Sequence, residues 1–159
     1  MNLIDNIYSN HEFEDFQMEE IREGLARGLD VSIYAKSEYT WEQMNEIRIG
    51  LMGKLNVTLY AKPEFNEEQM SEIRKGLERN INVSIYAKPE FDELQMSEIH
   101  YGLTKKIDVS LYIKPEFKWS QMKQIRKGLE KGLDVTLYLN PGIEWKEMKR
   151  IRLKQESNG

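Results

Sequence analysis

Residues 65–89 read FNEEQMSEIRKGLERNINVSIYAKP, and residues 91–115 read FDELQMSEIHYGLTKKIDVSLYIKP. The second stretch restates the first after a step of twenty-six positions. The same step runs outward in both directions. Methionine falls at 18, 44, 70, 96, 122 and 148, and tyrosine at 8, 34, 60, 86, 112 and 138. A fixed period in the range of about 20–50 residues marks stacked repeats, because one unit cannot bury its apolar face alone. The register divides residues 1–159 into a single repeat domain. Five full repeats cover 12–37, 38–63, 64–89, 90–115 and 116–141, with caps at 1–11 and 142–159, the latter a C-terminal cap helix.

Each repeat predicts a long helix. In residues 91–107, Met96, Ile99 and Leu103 recur on one helical face. Asp92 followed by Gln95 forms a capping box, and Phe91 and Met96 sit where a hydrophobic staple falls. Phe65 with Met70 and Phe117 with Met122 repeat that staple. Gly28, Asn80 and Gly132 suit the left-handed helix stop. Glycine recurs inside the helix at 24, 50, 76, 102 and 128. Mid-helix glycine costs about 1 kcal/mol against alanine, so its recurrence predicts a steric need, most simply the close approach of a neighbouring repeat.

The second element reads LDVSIYAK, LNVTLYAK, INVSIYAK, IDVSLYIK and LDVTLYLN. Two templates fit it. Alternating aliphatic positions suit strands at 29–35, 55–61, 81–87, 107–113 and 133–139, stacked into an α/β horseshoe like that of leucine-rich repeats. A short helix instead makes Asp30 and its equivalents N-caps and puts Val31, Tyr34 and Ala35 on one face. Leu29 and Tyr34 would then form a second staple. In the leading segment NLIDNIYSN, Leu3, Ile4, Ile7 and Tyr8 are spaced for a helix, and a strand would turn Asp5 into the core. The preferred fold is therefore all-α: a right-handed solenoid alternating a long and a short helix.

Composition limits function. The chain is 40% hydrophobic and 31% charged, enough for a core in a soluble protein. No apolar run is long enough for a membrane-spanning helix, so no membrane partner is expected. MNLIDNIYSN does not read as a secretion signal. Cysteine is absent, which excludes disulfides and thiolate metal sites and fits a cytoplasmic protein. Residues 1–115 carry 21 acidic and 13 basic side chains, and residues 116–159 carry 6 and 10, giving −8 and +4.

The pattern QMxEIRxGLxxGLDVSxYAxPEF, from about Phe13 to Met148, resembles a 26-residue repeat of phage and conjugative-element proteins from Gram-positive gut and oral bacteria. That family has no settled activity. The resemblance implies a mobile-element origin, and small proteins of such origin often block host defence systems. It also implies lysine or tryptophan in relatives at the slot filled here by Ile33, Leu59, Ile85, Leu111 and Leu137, which suits a short helix better than a buried strand.

No catalytic constellation can be assembled. The only histidines are His11 and His100, and no HExxH, P-loop or GxGxxG is present. The expectation is a protein that is not an enzyme and uses neither cofactor nor metal. Arg22, Arg48, Arg74, Arg126 and Arg152 form a ladder, with His100 in the gap. Guanidinium suits phosphate and carboxylate alike, but the recurring Glu-Ile-Arg triplet favours a structural role, with each arginine bonded to loop carbonyls or to acidic groups of the adjacent repeat. The tyrosines read as inter-repeat packing rather than a stacking platform. Trp41, Trp119 and Trp145 share a slot with Asp15, Glu67 and Glu93, so that slot is at least partly exposed.

Exposed tryptophan favours protein interfaces. Trp41, Trp119 and Trp145, with Arg126, Arg152 and Lys149, are the candidate partner-binding residues. The leading function is a non-enzymatic scaffold binding a host protein or ribonucleoprotein complex, as an anti-defence inhibitor of a nuclease complex. The alternative is a nucleic-acid binder using the arginine ladder and the basic segment KEMKRIRLK, 146–154. The acidic segment EFEDFQMEEIRE, 12–23, could imitate phosphates, and self-association end to end is also open.

Overall fold

The computed structural model describes residues 12–159. The leading cap, with NLIDNIYSN and His11, lies outside the described residues. The rest is all-helical, and among the described residues there is no strand. The long helices are α1 (Asp15–Ala26), α2 (Trp41–Met52), α3 (Glu67–Glu78), α4 (Glu93–Thr104), α5 (Trp119–Glu130) and α6 (Trp145–Asn158). The chain forms two compact units that meet in sequence between Asn80 and Ile81. In the first, α1 packs on α2 and α2 on α3; in the second, α4 packs on α5 and α5 on α6.

The helix starts follow from local chemistry. Thr40, Asn66 and Asp92 each accept a hydrogen bond from the backbone N–H three residues on, at 3.2, 2.8 and 2.7 Å. The glutamine at that third position returns the favour. The Oε1 atoms of Gln43, Gln69 and Gln95 accept from the cap N–H at 2.8, 2.9 and 2.9 Å. Gln17 and Gln121 make this return bond to the N–H of Glu14 and Lys118. The same amide has a second task that the capping motif does not reveal. Its Nε2 donates to the carbonyl just before the next helix cap: Gln17 to Tyr39, Gln43 to Phe65, Gln95 to Phe117 and Gln121 to Ile143, at 2.5–2.7 Å. One buried side chain thus caps the start of its own helix and ties down the start of the next.

The helix stops use left-handed backbone at Gly28, Asn80 and Gly132, with φ of 70°, 55° and 66°. Lys54 and Lys106 adopt the same conformation at 55° and 57°. In the second repeat a glycine, Gly53, stands one place too early and has φ of −77°.

The second element is a single 3-10 turn, at Val31–Ile33, Val57–Leu59, Val83–Ile85, Val109–Leu111 and Val135–Leu137. This settles the choice against the strand horseshoe. Asp30, Asp108 and Asp134 accept from the N–H two residues on at 3.0–3.1 Å. That bond holds the backbone in a turn, and Tyr34 N–H then bonds to the Val31 carbonyl at 3.0 Å. Val31 and Tyr34 are buried while Ile33 is only half-buried, so the aliphatic alternation does not mark an inward face.

The mid-helix glycines receive a different neighbour from the one expected. A Cβ on Gly24, Gly50, Gly102 or Gly128 would overlap the hydroxyl of Tyr34, Tyr60, Tyr112 or Tyr138. These belong to the glycine's own repeat, not to an adjacent one. Each tyrosine folds the turn back on its helix and is fully buried. Burying a side chain of this size contributes roughly 2 kcal/mol, about twice the helix cost of the glycine that admits it.

Candidate functional site

The arginine ladder is internal. Arg48 Nε bonds Glu20, Arg74 Nε bonds Glu46 and Arg126 Nε bonds Glu98, each at 2.7 Å and each between successive helices of one unit. The glutamate and arginine of the Glu-Ile-Arg triplet therefore pair with different repeats. Arg126 is buried, also bonds Glu130 at 2.5 Å, and lies 4.8 Å from the centre of the Tyr101 ring. Arg152 is buried, meets Gln124 Oε1 at 3.2 Å through two nitrogens, and pairs with Glu156. Both guanidinium groups are occupied within the fold.

Core, cap and ladder together account for most positions of each long helix. Residue types change freely from repeat to repeat at helix positions one, two, five and nine. At about 100° per residue, these fall at roughly 0°, 100°, 40° and 80° around the axis, a single face. On α1 it carries Asp15, Phe16, Glu19 and Glu23. On α5 it carries Trp119, Ser120, Lys123 and Lys127, and on α6 Trp145, Lys146, Lys149 and Leu153. The scaffold is constant and its outer chemistry runs from acidic to basic in chain order.

Trp119, Trp145 and Lys149 are brought together. With Ser120, Lys123, Gln124 and Lys127 they line a groove of about 340 Å³. Trp119 is 39% exposed and Trp145 is half-buried. Lys123 Nζ lies 5.7 Å from the Trp119 ring centre, and Lys146 Nζ 5.8 Å from that of Trp145. Among the described residues, Lys123, Lys127 and Lys149 form no ion pair. Gln124 stands where the ladder has glutamate at 20, 46 and 98, so a carboxylate is missing beside three lysines.

Trp41 lies in the first unit, also 39% exposed, with its ring 5.7 Å from that of Phe16. The surface beside it includes Glu14, Glu38 and Glu42, an acidic setting. The shared tryptophan slot is thus at least partly exposed in every repeat, as the mixed Trp/Glu column requires. Lys123, Lys127 and Gln124 were not singled out by the sequence reading. The signal was present: Gln124 replaces the glutamate of positions 20, 46, 72 and 98, and Lys123 and Lys127 stand in columns that change freely between repeats. Among the described residues, no group of three or more potential metal ligands occurs and no helix is long and apolar enough to cross a membrane.

No family model, curated protein or solved structure matches this chain.

Proposed function

We propose that the chain is a non-enzymatic repeat scaffold that binds a partner protein through the variable face of its long helices. One observation carries this reading. The positions that differ between repeats gather on one side of each helix, and in the second unit that side forms a groove with two indoles and three unpaired lysines. Repeat proteins keep their structural residues and vary their binding surface. Tryptophan is enriched among the residues that anchor protein interfaces. The resemblance to repeats of mobile elements makes a host nuclease or defence complex the partner to look for first, and inhibition the expected consequence.

Aromatic rings interleaved with lysine also suit single-stranded nucleic acid. The net charge of −4 and the acidic face of α1 weigh against a backbone-tracking surface.

The test is capture of partners from host lysate on the tagged protein, with and without nuclease, beside a Trp119→Ala/Trp145→Ala variant of unchanged melting temperature. The expected result is a protein retained in near-stoichiometric amount after nuclease and lost with the variant. Retention of nucleic acid alone, at low salt only, would transfer the function to the alternative.

A further inference from the structure

The groove between α5 and α6 has an order to it. Trp119 and Trp145 are the first residues of their helices, so both indoles stand at the same end. Lys123 and Lys149 follow one turn along, and Lys127 a further turn along α5. At about 1.5 Å rise per residue, the cations of Lys123 and Lys127 are roughly 6 Å apart along the axis, and Trp119 to Lys127 spans roughly 12 Å. An extended chain advances about 3.3 Å per residue. Alternate side chains of a strand therefore match the spacing of the lysines, and an apolar side chain two residues before them reaches the indole end.

Resting on the partner-protein reading above, we infer that this groove takes an extended acidic segment of the partner, with an apolar residue followed at alternate positions by two carboxylates. The apolar side chain lies between the indoles of Trp119 and Trp145, and the carboxylates lie on Lys123 and Lys149, then on Lys127. Three features select this occupant. Among the described residues the lysines have no internal counter-ion, so a carboxylate breaks no existing pair. Gln124 keeps the floor uncharged where earlier repeats hold a glutamate. On the α4 side the face becomes apolar, with Leu94 and Tyr101 46% and 53% exposed, and carries Glu93. That flank suits side chains of a protein and offers a phosphate backbone no further cation.

The two indoles of the groove report its occupancy directly. The protein has three tryptophans, and Trp41 in the first unit serves as internal control. The experiment titrates the whole protein, labelled at its indole nitrogens, with the peptide Gly-Phe-Ser-Glu-Ser-Glu-Gly. Controls are its Phe→Ser form, a form with the two glutamates adjacent, a leucine form, and a short oligothymidylate. The expected result is movement of the Trp119 and Trp145 indole signals, with that of Trp41 fixed. Binding should weaken about tenfold, roughly 1.4 kcal/mol, on loss of the phenylalanine or in a Lys123→Glu/Lys127→Glu variant. Movement of no indole by any peptide at millimolar concentration overturns the inference, as does tighter binding of the oligothymidylate at physiological salt. A full-length partner that is lost with the tryptophan variant but kept with the lysine variant would also overturn it, while leaving the scaffold reading standing. Loss of the scaffold reading is separate: it shows as partner capture indifferent to every change on the variable face.

Discussion

Tyr60 donates its hydroxyl hydrogen to the Glu46 carbonyl at 2.9 Å, and Gly50, one turn further along the same helix, leaves the space in which that hydroxyl sits. The pair joins the turn to the helix in one repeat, and Gly24 with Tyr34 and Gly102 with Tyr112 do the same in others. Substituting Gly50→Ala gains about 1 kcal/mol of helix propensity and forces a buried clash costing about 1–3 kcal/mol or more. The Val57 methyl, 2.8 Å from the added Cβ, keeps the site tight even if the ring shifts. The expected outcome is net destabilisation in urea titration, partly relieved in a Gly50→Ala/Tyr60→Phe double variant.

The hydroxyls themselves should differ. Tyr138 repeats the geometry but its hydroxyl has no hydrogen-bond partner among the described residues. Tyr60→Phe should cost about 1 kcal/mol, the usual net value of a hydrogen bond, whereas Tyr138→Phe should be neutral or slightly stabilising. Equal losses in the two variants, measured by urea denaturation, would contradict this distinction.

Gln124 offers a test of the ladder. Arg126 pairs with Glu98 between helices, with side chains only 8% and 14% exposed, but Arg152 meets the neutral Gln124 in the equivalent place. Gln124→Glu should complete the ladder and stabilise the protein by about 0.5–1 kcal/mol. Glu98→Gln should cost more, about 1–3 kcal/mol, because it leaves a buried guanidinium with only Glu130. Thermal melts of the two single variants give both signs.

Much of this fold is legible in the sequence because the repeat states each structural demand several times. Methionine, isoleucine and the glutamine cap keep one spacing, and their helix follows. The second element is ambiguous for a physical reason. A one-turn 3-10 helix is too short to display a period, and LDVSIYA satisfies a strand template by chance until the Asp30 side chain takes the Ser32 N–H. The second bond of Gln17 to Tyr39 is invisible for another reason: it links residues 22 apart through an amide whose capping role already explains its presence. Of the candidate site, the tryptophan slot was legible because no buried environment accepts both indole and carboxylate. The arginines form one ladder in the sequence, but which glutamate each one meets depends on how successive helices pack.

Helix stops provide a further prediction. Lys54 and Lys106 hold a left-handed conformation that costs a residue with a Cβ about 1–2 kcal/mol relative to glycine. Glycine also raises the entropy of the unfolded chain, which returns about 0.4–1 kcal/mol. Lys54→Gly and Lys106→Gly should each stabilise by a few tenths to about 1 kcal/mol. Gly28→Ala should destabilise, although nothing lies within 4 Å of its Cβ position. Chemical denaturation of the three variants separates backbone strain from crowding, since crowding predicts no effect at Gly28.

Alkaline pH should loosen the repeats through their tyrosines. Burial pushes the Tyr34 phenol up to about 12, opposed by Arg48 and aided by Glu20 and Glu23. Burial likewise raises Tyr60 and Tyr112. In the unfolded chain these groups ionise near their ordinary value of 10.0. The folded state then holds more protons than the unfolded one above that pH, so stability falls as pH rises. The contribution is complete below pH 10 and is lost progressively as pH approaches and passes 12. Melting temperature should therefore be level with respect to these groups up to about pH 10 and drop steeply beyond it, with phenolate absorbance appearing together with loss of helical circular dichroism. Phenolate forming well before the helices melt would mean that the hydroxyls facing Glu20, Glu46 and Glu98 are open to solvent, and that the glycine–tyrosine contact is not what closes each repeat.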